Sequence, residues 1–264
     1  ESRGVSWAVW NFDPDWAPTM ISDWNFTPTE QGHFFRSVML RLRAGSMTLS
    51  VLPSPRVEEY PWMSISQWRT LYAEDADVAR QGEVGLLFLG DSITEGWPAD
   101  LWSSHFSRFR PANFGIGGDR TENVLWRLQQ DELRRLDPEA VLLMIGVNNL
   151  GLRGDSVQDV YVGVQAVVEE VKGAFANAHI ALLGILPYGR QAGTPERRQV
   201  IEANALLAGL AEDPRVEFHD IGAAFLQPDG SIAPEIMADF LHPTAEGYAV
   251  FARELDPILQ ALFE

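Results

Sequence analysis

Leu86-Leu87-Phe88-Leu89-Gly90-Asp91-Ser92-Ile93-Thr94 is the stretch on which the fold turns. An apolar run that begins at Val84 ends in Gly-Asp-Ser. A run of that length without polar alternation predicts a strand buried on both faces, as in a parallel sheet. Gly90 allows the chain a tight exit. Ser92 then stands just past the carboxyl end of the strand, where open α/β sheets bind ligands. Position alone allows two readings of this corner. Ser92 is a nucleophile, or Ser92 or Thr94 is a helix N-cap that satisfies free backbone N–H groups.

Outward from this strand the pattern alternates. Helices are expected at about 67–80, 97–108, 121–135, 156–175 and 195–211, with a last one from Ala245. Strands are expected at 84–89, 112–114, 140–145, 180–186 and 216–219. Strands alternating with helices imply a parallel sheet covered on both faces.

Composition narrows the partners. The chain has 264 residues, 46% of them hydrophobic, enough for a large core. Asp and Glu number 37 against 20 Lys and Arg, a formal charge of -17. Nucleic acid and anionic membrane surfaces would be repelled. Cysteine is absent, which excludes disulfides, thiolate metal sites and a cysteine nucleophile. No apolar run approaches the roughly 18 residues of a membrane span.

Residues 1–55 differ from the rest and hold Trp7, Trp10, Trp16 and Trp24, four of the nine tryptophans. Residues 6–10 read as a strand. Thr27-Pro28-Thr29-Glu30 reads as a helix start with cap, proline and capping-box glutamate. This segment resembles the closing strand and last helix of a (β/α)8 glycoside hydrolase of the endoglucanase type. About 45 residues carry that resemblance, too few for a barrel. It implies a partner glycoside hydrolase module in a longer chain; an aromatic extension packed on the main domain is the other reading. Pro53-Ser54-Pro55 marks a linker. The expected division is an extension over 1–55 and a domain over 60–264. The start at Glu1 in place of Met leaves room for a leader or upstream region that has been removed. A secreted or periplasmic bacterial location is expected, with a cytoplasmic one left open.

Four blocks carry chemistry: Gly90-Asp91-Ser92; Asn113-Phe114-Gly115-Ile116-Gly117-Gly118-Asp119; Gly146-Val147-Asn148-Asn149; and Asp239-Phe240-Leu241-His242-Pro243. Three follow strand ends and the fourth precedes the last helix, so all can meet on one rim. Together they supply the parts of acyl transfer. Ser92 attacks a carbonyl, His242 takes and returns the proton, and Asp239 orients the imidazole. The N–H groups of Ser92 and Gly118 and the amide of Asn148 would hold the oxyanion. Ile93 and Leu241, tied by the backbone to Ser92 and His242, are expected to crowd the acyl side and favour acetyl.

These blocks resemble the SGNH hydrolases, also called GDSL-type esterases. Within that family, Asn113 to Leu128 and Asp239 to His242 are similar to catalytic subunits of the platelet-activating factor acetylhydrolase type. The resemblance covers about 65–264, with Ile93 where the family name has Leu. It implies a three-layer α/β/α, flavodoxin-like fold with five parallel strands in the order 2-1-3-4-5. It also implies catalysis by Ser92, Asp239 and His242 with oxyanion donors Gly118 and Asn148, and no cofactor or metal. With the amino-terminal resemblance, it points to a carbohydrate acetyl esterase acting on plant cell-wall polysaccharide. The alternatives are a general short-chain carboxylesterase, an acetylhydrolase of lipids, or a non-catalytic carbohydrate-binding module.

Other features have simpler readings. Trp97 and Trp126 stack on sugars or pack helices. His33, His105, His179 and His219 lie outside the blocks and read as structural. His242 and Glu246 have the spacing of helical metal ligands without a second histidine.

Overall fold

The computed structural model describes residues 48–264. The strand expected at 6–10 and the helix expected after Thr27 lie outside the described residues. A compact unit runs from Ser50 to Glu264, so Ser50 to Arg56 belong with it.

Five strands form one parallel sheet: β1 (Leu86–Gly90), β2 (Pro111–Gly115), β3 (Ala140–Met144), β4 (His179–Leu183) and β5 (Val216–His219). Their order is β2-β1-β3-β4-β5, as expected. The registers Gly90↔Gly115 and Gly90↔Met144 bring the carboxyl ends of the three adjacent strands level. The rim beyond those ends is therefore a common platform for the loops that follow.

The helices are α1 (Ile65–Gln81), α2 (Ser92–Glu95), α3 (Ala99–Phe106), α4 (Thr121–Leu128), α5 (Val157–Ala174), α6 (Pro195–Leu207) and α7 (Ala245–Leu262). In the outer layers, α4, α5 and α6 pack side by side, and α3 packs on α7. On α5, Val160, Val164, Val167, Val168 and Val171 recur at three- and four-residue steps and are all buried. That spacing makes one apolar stripe facing the sheet. Ser156 caps this helix, its side chain accepting from the Asp159 N–H at 3.1 Å.

Element ends shift where local chemistry intervenes. The helix expected from residue 97 starts at Ala99, because Pro98 is its cap. The helical pattern over 121–135 breaks after Leu128, and Leu133 returns to the core through a 3-10 turn, Leu133–Arg135. The apolar run after β4 outlasts the strand. Ile185 leaves the ladder and pairs instead with Asn204, whose side chain accepts from its N–H (2.9 Å) and donates to its carbonyl (3.0 Å).

Candidate active site

The rim begins with a division of labour between neighbours. Asp91 caps the single turn α2, its Oδ1 accepting from the Ile93 N–H at 3.0 Å. Ser92 is the first residue of that turn, so its side chain is free of capping duty and its N–H has no intrahelical partner. Gly90 cannot be replaced without collision: a Cβ there would lie 2.2 Å from Thr94 Oγ1 and 2.5 Å from the Met144 carbonyl. Burial pushes the Asp91 carboxyl up to about 7; the Ile93 N–H pulls the other way, and the Asp119 charge adds to the rise.

The loop before α7 returns to this corner. His242 Nε2 lies 2.9 Å from Ser92 Oγ, and His242 Nδ1 lies 2.6 Å from Asp239 Oδ2. Asp239 Oδ1 also accepts from the backbone N–H groups of His242 (2.8 Å) and Leu241 (3.0 Å). Partial burial alone would raise the Asp239 carboxyl, but the His242 side chain and these N–H donors outweigh it and hold it below its ordinary range. The loop is tight enough to force Phe240 to a φ of 60°, a left-handed conformation uncommon for a bulky residue. His242 precedes α7, so it and Glu246 do not share a helical face. Among the described residues no three His, Asp or Glu side chains gather as a metal-binding group.

Opposite, the glycine block turns sharply. The Asp119 N–H donates to the Ile116 carbonyl at 3.0 Å, with Gly118 at a φ of +75° that only glycine adopts freely. A Cβ on Gly117 would lie 3.7 Å from Ser92 Cβ, so this turn faces the serine. Asn148 Nδ2 donates to the Asp119 carbonyl at 3.0 Å. Ser92, Gly118 and Asn148 thus share one corner.

Several residues that shape the turn carry no role in the sequence reading. Glu95 Oε2 accepts from the Gly117 N–H at 2.6 Å. Arg56 Nη2 donates to the Gly117 carbonyl (2.9 Å) and to Asp119 Oδ1 (3.1 Å). Trp68 Nε1 donates to the same Asp119 oxygen at 2.7 Å, and Arg127 pairs with Asp119 Oδ2 at 2.9 Å. Arg127 had a visible signal, a charge inside an amphipathic helix beside apolar Leu125 and Leu128. Arg56, in a linker-like stretch, had none.

One expectation changes. Ile93 does not border the acyl side: it is 2% exposed and belongs to the hydrophobic core. One helical residue rotates the side chain by about 100°, so the neighbour of an outward Ser92 turns inward. Leu241 is half-buried beside His242. Trp97 lies in an aromatic cluster, 4.9 Å from the rings of Phe106 and Tyr248. Trp126 packs against Trp68 and Tyr72. Both tryptophans pack helices. His105 pairs with Asp256, away from the blocks; His33 lies outside the described residues.

Comparison with known proteins agrees with this architecture. The model of the GDSL-like Lipase/Acylhydrolase family matches residues 88–250. Platelet-activating factor acetylhydrolase IB subunit alpha1 of Homo sapiens is 34% identical over 198 residues, 74% of this chain and 84% of that protein. Subunit alpha2 of Gallus gallus is 32% identical over 200 residues, 75% and 86%. Among solved structures, a putative platelet activating factor from Streptococcus pneumonia superposes with a TM-score of 0.62 at 22% identity, covering 72% of this chain and 92% of that one. An acetylxylan esterase from Geobacillus stearothermophilus gives 0.54 at 21%, covering 68% and 96%. These last two likenesses are of fold. A family model that runs from within β1 through the other four strands and covers all four blocks, with relatives matched over most of their length, settles the kinship: the chain belongs to the GDSL-like lipase/acylhydrolase family.

Proposed function

We propose that this protein is a serine esterase that removes acetyl groups, with a carbohydrate as its alcohol. The observation that carries the reading is the relay Ser92 Oγ, His242 Nε2, His242 Nδ1, Asp239 Oδ2, with steps of 2.9 and 2.6 Å. A non-catalytic binding module has no use for a base aligned on a hydroxyl.

In this reading His242 takes the Ser92 proton as Oγ attacks the ester carbonyl. The tetrahedral oxyanion is met by the N–H groups of Ser92 and Gly118 and by Asn148 Nδ2. These donors are fixed before reaction, so they stabilise charge without reorganising. Arg56 Nη2 braces this turn, donating to the Gly117 carbonyl and to Asp119 Oδ1. His242 then protonates the leaving alcohol, and water repeats the sequence on the acetyl-enzyme. Asp239, held ionised, stabilises the imidazolium that forms twice in the cycle.

Acetyl selectivity is supported by the names of the curated relatives, acetylhydrolases, and by half-buried Leu241 beside His242. The carbohydrate alcohol is supported by the resemblance of residues 1–45 to a glycoside hydrolase. The relatives' names favour a second reading, an acetylated phospholipid. Initial rates on acetylated xylan and on an acetylated phospholipid distinguish the two, with xylan expected to be faster. Ser92→Ala should lower kcat by about 10⁶-fold, and Asp239→Asn should lower it less than His242→Ala. Retention of a tenth of the activity by Ser92→Ala would remove the serine from the mechanism.

A further inference from the structure

Trp62 is in an unusual position for a large aromatic residue. Trp68 is 0% exposed and Trp97 9%, whereas Trp62 is 51% exposed. It is nonetheless held firmly. Tyr60 and Met63 pair through two backbone hydrogen bonds of 3.0 and 3.1 Å, which close the turn that carries Trp62. Met63 is buried with Trp68 and Ile116 and anchors that turn. The Tyr60 and Trp62 rings stack at 4.8 Å with 1° between their planes. The Tyr60 hydroxyl donates to Glu58 Oε2 at 2.5 Å and accepts from Arg120 Nη1 at 3.2 Å.

The indole is also beside the reacting groups. A Cβ on Gly118 would lie 2.5 Å from Trp62 Cη2, so the edge of the ring rests on the oxyanion glycine. Gly117, the next residue back, faces Ser92. Tyr60 covers one face of the indole, Gly118 meets its edge, and half the residue is left to water. Folding gains little from that half.

We propose that Trp62, backed by Tyr60, is the surface on which the ring of the leaving alcohol stacks. The inference rests on the esterase reading above. An acetyl group is too short to need such a surface, so the occupant is the alcohol. A ring that presents a flat face of C–H groups, such as a pyranose, fits an aromatic plane, and an aryl ring fits it in the same way. Because the stacked pair is fixed in advance, binding immobilises few rotamers.

The test compares kcat/KM on three acetates: peracetylated methyl xylopyranoside, 4-nitrophenyl acetate and ethyl acetate. The readout is the ratio of each ring-bearing substrate to ethyl acetate. Trp62→Ala should lower both ratios by about tenfold, with the change in KM, and Trp62→Phe should restore most of it. A uniform loss on all three substrates, or ratios that stay the same, overturns the stacking surface. If the wild-type protein leaves the xyloside intact, the carbohydrate reading falls and the aryl ratio alone decides. Hydrolysis of none of the three overturns the esterase reading and this inference with it.

Discussion

Asp91 and Ser92 divide between them what one residue could have done alone. The carboxylate caps α2, and the hydroxyl is left for His242. The division leaves a carboxyl only 1% exposed, raised by burial from its ordinary 3.8 to about 7. The sign of its effect on stability follows. Below about pH 4 both folded and unfolded chains hold this proton; between about pH 4 and 7 only the folded chain does, so stability falls as pH rises. The slope for one group is at most about 1.4 kcal/mol per pH unit, and it flattens above about 7. Asp91→Asn keeps an acceptor for the Ile93 N–H and removes the titration. Urea midpoints of the variant should therefore decline less steeply from about pH 4 to 7 than those of the wild type. Parallel profiles would show that Asp91 is not the group responsible. At this scale the blocks are legible because each is a short backbone motif whose residue types are set by local chemistry. Ile93 misleads because one residue along a helix turns a side chain by about 100°, enough to carry it from the rim into the core. Trp62 and Arg56 are illegible because their meaning lies in contacts with Gly118 and Asp119, more than fifty positions away.

Helix α4 shows what an element adds to its residues. Its Arg127, fully buried, pairs with Asp119 and Asp75 and donates to the carbonyls of Phe114 (2.9 Å) and Gly90 (3.2 Å). One guanidinium thus ties the ends of β1 and β2 to the turn that holds Gly118. Only a planar fork with several donors reaches all four partners. Arg127→Met would leave two carboxylates without this partner and remove one donor from each of two strand-end carbonyls, of which Gly90 keeps the Ile116 N–H at 3.2 Å, a loss of about 3–5 kcal/mol in urea unfolding. Arg127→Lys should recover only part, because an ammonium is a compact charge on a flexible stem. A loss below about 1 kcal/mol, the size of a surface ion pair, would show that the network is not structural. The existence of α4 is legible from the spacing of Val124, Leu125 and Leu128. Its end is not, because an apolar residue brought back by a turn, as Leu133 is, keeps the same period as one on a continuing helix.

Across the whole molecule, the sheet order is legible because buried apolar strands separated by helices admit few parallel arrangements, and the family resemblance selects one. Net charge is legible by counting, and it bears on substrate presentation. At -17 the chain meets an anionic surface with repulsion. Where the ester is embedded in a vesicle, the protein must approach that surface before Ser92 reaches a carbonyl. Salt shortens the range of the repulsion, to about 10 Å at 0.1 M and about 3 Å at 1 M. Hydrolysis of an acetylated lipid ester in anionic vesicles should accordingly rise between low salt and about 0.5 M, and change little in zwitterionic vesicles. A small water-soluble acetate gives the salt effect on chemistry alone, and dividing by it isolates the approach step. A normalised rate that falls with salt on anionic vesicles would mean that a local basic surface docks the protein despite its net charge. That outcome would favour the lipid substrate over the carbohydrate.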